Sequence, residues 1–415
     1  MKMFLNFVKL SLLSCLFLFG SMHNAFADQI NSASDEITSI KFKAVKLQYG
    51  NIPVLVLSGT TEQMGIQYGV ALSNQLKTVL SVLKNYYITG HGLTYQQLLT
   101  QASLLYNRFP IRYQSFMQGV AQGSGLDFRD IIILNGMETL GELLQDKTQV
   151  ACAFLFVPPG QTTTGAAFIG RNYDYPEPFD QLARYLTVAV MKEPGKVPTA
   201  FISIPGEIYC PSCVNANGLF MELNNGTPSG GHIVDTNTQS MLATMLDTLQ
   251  NSNSLLDVQT KLSSVKSDFS LIVNTANSTT PLSFEYSTDP SLGTNYYYPT
   301  ATQTFAVTNF YLDPVWGDRI PVPTDATTWE GVTRRNNLLN LASKSNQFNV
   351  SNFQTLMNVQ IDQGGAVWGM TIYQLIFDAS TMDLYVRLVS DPATWNRIPL
   401  SKVFKNDINK AYEKY

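Results

Sequence analysis

Hydrophobic and polar positions along this chain change period near residue 150. From Thr61 to about Tyr87, Leu72, Leu76, Val79, Leu80 and Leu83 recur close to every 3.6 residues, which predicts a long amphipathic helix. Further helices are expected at 94–108, 110–122 and 127–145, with Gly123-Ser124-Gly125 separating the last two and Asp127 placed to cap the second. Ahead of them, FKAVKLQYG and IPVLVLSGT alternate around Gly50-Asn51 and predict a β-hairpin. The region before residue 152 is thus mainly helical.

From Cys152 the period becomes two. CAFLFV, a Pro158-Pro159-Gly160 turn and AAFIGRNYD read as a hairpin. Strands follow near 184–191, 199–204, 218–224, 269–274, 282–287, 304–308, 370–377 and 382–388, with helices at 238–250, 253–264, 329–343 and 351–360. Short strands joined by tight turns imply antiparallel sheets, and helices gathered in blocks imply an α+β protein rather than a βαβ repeat. No internal repeat and no phosphate-cradling glycine loop interrupts the pattern.

The first residues read as an export signal. Lys2 and Lys9 precede the apolar LSLLSCLFLFG, and Ala25-Phe26-Ala27 is a small-x-small cleavage site before Asp28. Cys15 lies inside this leader, and apolar sequence continues past it, unlike a lipoprotein signal. The expected address is periplasmic or secreted, with no integral membrane segment once the signal is removed, because no later apolar run approaches the ~20 residues a spanning helix needs. Residues 28–42 are polar and read as loose. Removing 1–27 takes two of the 27 basic residues and none of the 31 acidic ones, so the remaining chain is mildly acidic and has no basic tract. That argues against nucleic acid or anionic lipid as a partner.

Three of the four cysteines remain after export: Cys152, Cys210 and Cys213. An odd count in an oxidising compartment leaves one thiol over. Cys210-Pro-Ser-Cys213 reads as a locally closed disulfide in a loop, which leaves Cys152 free; a zinc site lacks its second pair of ligands. No cofactor is expected. Histidine is scarce: beyond the leader only His91 and His232 occur, each in a glycine-rich turn and neither near a Gly-x-Ser-x-Gly elbow.

Cys152 opens a buried strand, 18 residues before Gly170-Arg171-Asn172-Tyr173-Asp174 on the returning strand. A nucleophilic thiol needs a neighbouring base or cation. If the chain is cut before Cys152, the new α-amine, with an unperturbed pKa near ~8, supplies that base without histidine. Arg171 can lower the thiol's pKa or fix a carbonyl, and Asp174 can hold the ammonium.

The pattern Cys152…Gly170-Arg171-Asn172-x-Asp174 resembles the choloylglycine hydrolase and penicillin acylase group of N-terminal nucleophile (Ntn) hydrolases. Its C45 branch, the autoproteolytic acyl-coenzyme A:6-aminopenicillanic acid acyltransferase-like enzymes, is the most similar. LSGTTEQMGIQYG (57–69) is similar to that branch's N-terminal signature, and QGVAQGSGLDFRDIIILN (118–135) to its helical motif before the Cys. NANGLFMELNN (215–225) resembles the segment whose last Asn lines the oxyanion hole, which makes Asn224 the best match and Asn225 the alternative. Val307-Thr308-Asn309 resembles the element carrying a second Asn. Thr333-Arg334-Arg335 resembles a supporting Arg, with Arg334 fitting best and Arg335 the alternative.

The resemblance implies an αββα four-layer sandwich, with residues 28–151 as a helical pro-region or α chain and 152–415 as the catalytic β chain. It further implies self-cleavage of the Ala151–Cys152 bond, two chains that stay associated, and hydrolysis of a small-molecule N-acyl amide. Ala151 departs from the Gly frequent before the nucleophile in the acyltransferase. A phospholipase B-like lipid ester hydrolase or an acyltransferase on the same site is the alternative activity. A non-catalytic exported binding protein on the same scaffold is the alternative of another class.

Overall fold

In the computed structural model, residues 43–137, 140–141, 151–391 and 394–405 are described. The leader with its cleavage site, Cys15, the segment 28–42 and the far end of the helix expected to reach 145 lie outside them. From Ala44 onward the chain is one compact unit, so the residues before Cys152 share its core.

The helical region forms as its periodicity demands. Helix α1 (Thr61–Lys84) starts at a capping box in which Thr60 and Gln63 satisfy each other's backbone N–H groups, and it continues as one π turn over Asn85–Gly90. It is followed by α2 (Tyr95–Tyr106), α3 (Ile111–Ser124) and α4 (Phe128–Asn135), the last capped by the Asp127 side chain. Helices α1 and α3 cross in direct backbone contact. A Cβ added to Gly65 would lie 2.1 Å from the Phe116 carbonyl oxygen, and one on Gly119 would lie 2.2 Å from that of Glu62.

The strands assemble into two sheets. The first has the order β1 (Val45–Tyr49), β2 (Ile52–Ser58), β5 (Thr187–Lys192), β6 (Thr199–Ser203), β7 (Ser212–Asn215), β8 (Phe220–Asn225), β9 (Leu271–Ala276), β10 (Pro281–Tyr286), β11 (Thr294–Tyr297). The second runs β12 (Phe305–Val307), β3 (Cys152–Val157), β4 (Phe168–Asp174), β13 (Thr371–Asp378), β14 (Asp383–Leu388), β15 (Asn396–Pro399). One pairing departs from the antiparallel expectation: β2 lies parallel to β5, from Val54 opposite Val188 to Ser58 opposite Lys192. A parallel pair needs a long crossover, and here the helical region and the β3–β4 hairpin supply it.

The sheets face each other across aromatic side chains. Phe220 of β8 meets Phe154 of β3 and Phe377 of β13, with ring centroids 6.4 and 6.1 Å apart. Period-two alternation sends Ala153, Leu155 and Val157 to the opposite face, where they pack with Leu338, Ala342, Phe353, Leu356 and Met357. Those partners belong to α7 (Gly331–Ser343) and α8 (Val350–Met357), the outer helical layer. On the far side of the first sheet stand α1–α4 with α5 (Met241–Gln250) and α6 (Leu255–Leu262). Tyr68 of α1 stacks on Phe201 of β6, and Asn215 of β7 donates to the Leu249 carbonyl of α5. Both strands of the β3–β4 hairpin are buried along their whole length, which suits the apolar run CAFLFV of β3, whereas β4 carries Arg171, Asn172 and Asp174 into the interior, where each finds buried polar partners. The architecture is α+β, with two sheets between two helical layers.

Candidate active site

The β3–β4 hairpin builds the centre. Its register pairs Cys152 with Tyr173 and Phe154 with Arg171, so these four side chains share the face turned toward the first sheet. The diagonal from Arg171 to Cys152 is the natural reach of a long side chain, and Arg171 Nη2 lies 3.3 Å from Cys152 Sγ. Both residues are buried. A guanidinium at this position favours the thiolate over the thiol.

Arg171 also reaches across to β8. There Glu222 and Asn224, two residues apart, share one face of the strand. The guanidinium is ion-paired to Glu222, and its Nη1 lies 3.4 Å from Asn224 Oδ1. Its carbon sits 5.3 Å from the centroid of the Tyr173 ring, which stacks on Tyr373 at 4.7 Å. Burial pushes the Tyr373 hydroxyl far above its ordinary range, and the neighbouring Arg171 only partly opposes this.

The peptide unit between Ala151 and Cys152 is gripped at both polar atoms. Asp174 donates its backbone N–H to the Ala151 carbonyl oxygen at 3.0 Å. The Cys152 N–H donates to Asn309 Oδ1 at 3.1 Å, and Asn309 Nδ2 donates in turn to the Asn225 carbonyl at 3.0 Å. Asn309 follows β12, the edge strand beside β3, which puts it level with the start of β3.

Asp174 turns its carboxylate away from the thiol, toward α7. Thr371 Oγ1 donates to its Oδ1 at 2.6 Å, and Arg334 Nη2 stands 2.6 Å from its Oδ2. Burial raises the pKa of Asp174, opposed by the charge and hydrogen bond of Arg334, the Thr371 hydroxyl and the charge of Arg171. Arg334 is fixed by donating Nε to the Ala366 carbonyl, which also accepts from Asn172 Nδ2.

The geometry separates the alternatives left open by the motifs. Asn224 meets Arg171, whereas the Asn225 side chain accepts from the backbone and hydroxyl of Thr227. Arg334 meets Asp174, whereas Arg335 donates to the Ala306 carbonyl on β12. The Asn224 Nδ2 donates to the carbonyls of Thr308 at 2.9 Å and Val307 at 3.4 Å, so in this state it faces β12 rather than an open oxyanion position. Cys210 and Cys213 form a disulfide with Cα atoms 5.6 Å apart. Both are buried and Cys213 lies on β7, where a loop was expected. Among the described residues Cys152 is the cysteine outside a disulfide. His91 lies against Tyr86, at 4.5 Å between ring centroids, among residues of the helical region. Among the described residues no group of three or more His, Cys, Asp or Glu could hold a metal, and no helix is long and apolar enough to cross a membrane.

Glu222, Thr371 and Tyr373 were not anticipated. Glu222 carried a usable signal, since period two puts it on the Asn224 face of β8. Thr371 carried none. It meets Asp174 from 197 positions away, at an irregularity in the β4–β13 register.

No protein-family model matches the chain, and no curated protein sequence matches it. Similar solved structures include a variant of conjugated bile acid hydrolase from Clostridium perfringens, at 12% identity and a TM-score of 0.45, covering 62% of this chain and 95% of that one. An N-acylethanolamine-hydrolyzing acid amidase orthologue from Caenorhabditis elegans aligns at 11% identity and a TM-score of 0.41, covering 55% and 93%. Penicillin V acylase from Agrobacterium tumefaciens aligns at 11% identity and 0.41, covering 59% and 84%.

Proposed function

We propose that this chain is an exported cysteine amidohydrolase that cuts itself before Cys152 and then hydrolyses a linear amide bond of an N-acyl substrate. One observation carries the reading: a buried thiol beside an arginine starts a strand whose preceding peptide bond is held at both its carbonyl and its N–H.

In the precursor the Cys152 thiol attacks the Ala151 carbonyl carbon. The oxygen gains negative charge while hydrogen-bonded to the Asp174 N–H. As the carbon–nitrogen bond breaks, the thiol proton passes to the departing nitrogen, leaving a thioester and a free amine. Water then splits the thioester, giving a carboxyl group on Ala151 and restoring the thiol. Asn309, which already accepts from that nitrogen, holds the new amine in place.

In the cut enzyme the amine takes the thiol proton and the thiolate attacks a substrate carbonyl. Arg171 favours the thiolate. Asn224 turns its amide from the longer Val307 contact toward the oxyanion, a donor worth about 3 kcal/mol in comparable sites. The leaving amine collects the proton from the α-ammonium, and water resolves the thioester. Hydrolysis is preferred to transfer onto another acceptor, because an exported enzyme meets water rather than acyl-coenzyme A.

Intact-mass analysis of the purified full chain and of Cys152→Ala tests this. The wild-type chain should give two polypeptides, one beginning at Cys152, and the variant should stay whole. Release of amine from a panel of N-acyl amino acids, against fatty acid from phospholipid, then assigns the substrate. An uncut wild-type chain that releases neither product sinks the proposal.

A further inference from the structure

Two hydroxyls beside the candidate nucleophile are buried and unpaired. Cys152 pairs with Tyr173 on β4, and Tyr173 pairs in turn with Tyr373 on β13. Residues paired this way share a face, so Tyr373 stands on the Cys152 side of its sheet, with its ring stacked on Tyr173 at 4.7 Å. From the other sheet, Ser212 of β7 pairs with Glu222 of β8, which puts it on the face that Glu222 turns toward Arg171. Tyr373 is 1% exposed and Ser212 is fully enclosed. Among the described residues neither hydroxyl has a hydrogen-bond partner, and Arg171 Nε, enclosed with them, has none either.

These groups stand close to one another and to the thiol. Burial keeps the Tyr373 hydroxyl protonated, and after burial Arg171, Glu207, Ser212 and Cys152 all act on it. Buried polar atoms without a partner are rare and costly, and three of them gathered from three strands call for a common explanation. Tyr373 and Arg171 Nε offer protons, and the Ser212 oxygen offers lone pairs. Their complement is a small molecule that accepts from the first two and donates to the third. Water has that set of lone pairs and protons, and a buried water makes about three such bonds.

We propose that the hydroxyls of Tyr373 and Ser212 form a binding site for the water that resolves the acyl-enzyme. The inference rests on the reading of Cys152 as a nucleophile that forms a thioester, and adds where the second reactant is held. With Cys152 enclosed, a water fixed between the sheets has no need to diffuse in past the acyl chain. Its oxygen bonds to the acyl carbon, one of its protons passes to the α-amine, and the carbon–sulfur bond breaks. The ammonium then returns a proton to the departing thiolate, leaving a carboxylic acid, the thiol and the free amine. Tyr373 and Ser212 orient the water and are not consumed.

The test follows the two half-reactions separately on cut protein, with p-nitrophenyl butyrate as acyl donor. Nitrophenol release in the first turnover reports acylation, and the mass of the chain beginning at Cys152 reports loss of the acyl group. Tyr373→Phe keeps the ring and its stack, and Ser212→Ala alters the opposite sheet. Each should slow loss of the acyl group by at least about tenfold while acylation changes by less than about threefold. Hydroxylamine attacks a thioester without a held water, so it should clear the acyl group from variants and wild type at similar rates. If a variant stalls during self-cutting, its whole chain should be the Ala151 thioester and should split with hydroxylamine. Acyl loss at the wild-type rate in either variant overturns the proposal. So does acylation slowed as much as acyl loss, which would assign the hydroxyls to substrate binding or to the fold, and so does a whole chain that resists hydroxylamine. A wild-type chain that never carries the acyl group would sink the enzymatic reading, and this inference with it. An acylated wild type with unaffected variants would sink this inference alone.

Discussion

Asp174 donates its backbone N–H to the carbonyl oxygen of Ala151, the residue directly before the candidate nucleophile. The contact extends the β3–β4 ladder by one step beyond the Cys152–Tyr173 pair. An ordinary ladder hydrogen bond thus falls where a tetrahedral intermediate on Ala151 would carry its charge. The donor is backbone, so no side-chain substitution at Asp174 removes it, and the separable half of the grip is Asn309.

Asn309→Ala deletes the acceptor for the Cys152 N–H while leaving the thiol, Arg171 and the Asp174 N–H in place. Loss of one buried hydrogen-bond partner costs about 1–3 kcal/mol. If that grip is tighter in the transition state than in the resting chain, self-cutting should slow by about 10- to 100-fold. The check is a time course of the whole-chain mass as uncut chain, collected in denaturant before it has folded, is allowed to fold. A cut as fast as wild type would remove Asn309 from the machinery.

The glycines of the two motifs that precede Cys152 have a structural task. Gly65 and Gly69 on α1 meet Gly119 and Gly123 on α3, and added Cβ atoms would lie 2.1 to 2.4 Å from backbone carbonyl oxygens of Phe116, Val120, Glu62 and Ile66. In a free helix Gly→Ala is stabilising by about 1 kcal/mol. Here the clash is with backbone, which cannot rotate away, so Gly65→Ala should reverse the sign and destabilise by about 2 kcal/mol or more. Denaturant midpoints of the two chains decide it, and an equal or higher midpoint for the variant would contradict the close crossing.

Much of this was legible from periodicity. The switch from a 3.6 to a 2.0 repeat at Cys152 separates the helical region from the strands that follow it, and alternation puts Arg171 on the face of Cys152 once the turn has set the hairpin register. Three things were not. The parallel β2–β5 pair joins segments separated by the whole helical region, and no local pattern encodes such a partner. Strands β7, β11 and β15, four residues each, were not anticipated. Thr371 enters the site through a contact between distant strands, which depends on tertiary packing rather than on spacing, and for Glu222 spacing marks the face of β8 but not its partner Arg171 on the other sheet.

Glu285 predicts a pH dependence. It is a buried carboxylate on β10 that accepts from the backbone of Leu312 and Asp313 and from the Trp316 indole, all in the segment just after Asn309. Burial pushes its pKa from 4.5 up to about 7, against those hydrogen bonds. Between these two values the folded chain keeps a proton that the unfolded chain has released. The contribution to stability is therefore full below about pH 4.5 and lost as pH rises toward 7, by about 3 kcal/mol in all. Urea midpoints of wild type and Glu285→Gln at about pH 5 and about pH 8 should show a fall in wild type that the variant lacks. Parallel changes in the two proteins would exclude Glu285 as its source.

Cutting at Ala151 should not release the N-terminal segment. Val54 and Val56 of β2 are buried where that strand pairs with β5, which lies beyond the cut. Arg112 on α3 is ion-paired with both Glu193 and Asp247, and Arg108 stands 3.2 Å from Asp268. These contacts are part of one core, so the two chains should part only by unfolding and should elute together in native size exclusion. Unfolding of the cut protein then becomes a dissociation, and its midpoint must depend on concentration. A hundredfold dilution should lower the thermal midpoint of cut wild type and leave that of uncut Cys152→Ala unchanged. Equal behaviour of the two, with mass analysis confirming the cut, would mean that the N-terminal segment is dispensable to the fold of residues 152–405, contrary to the β2–β5 pairing.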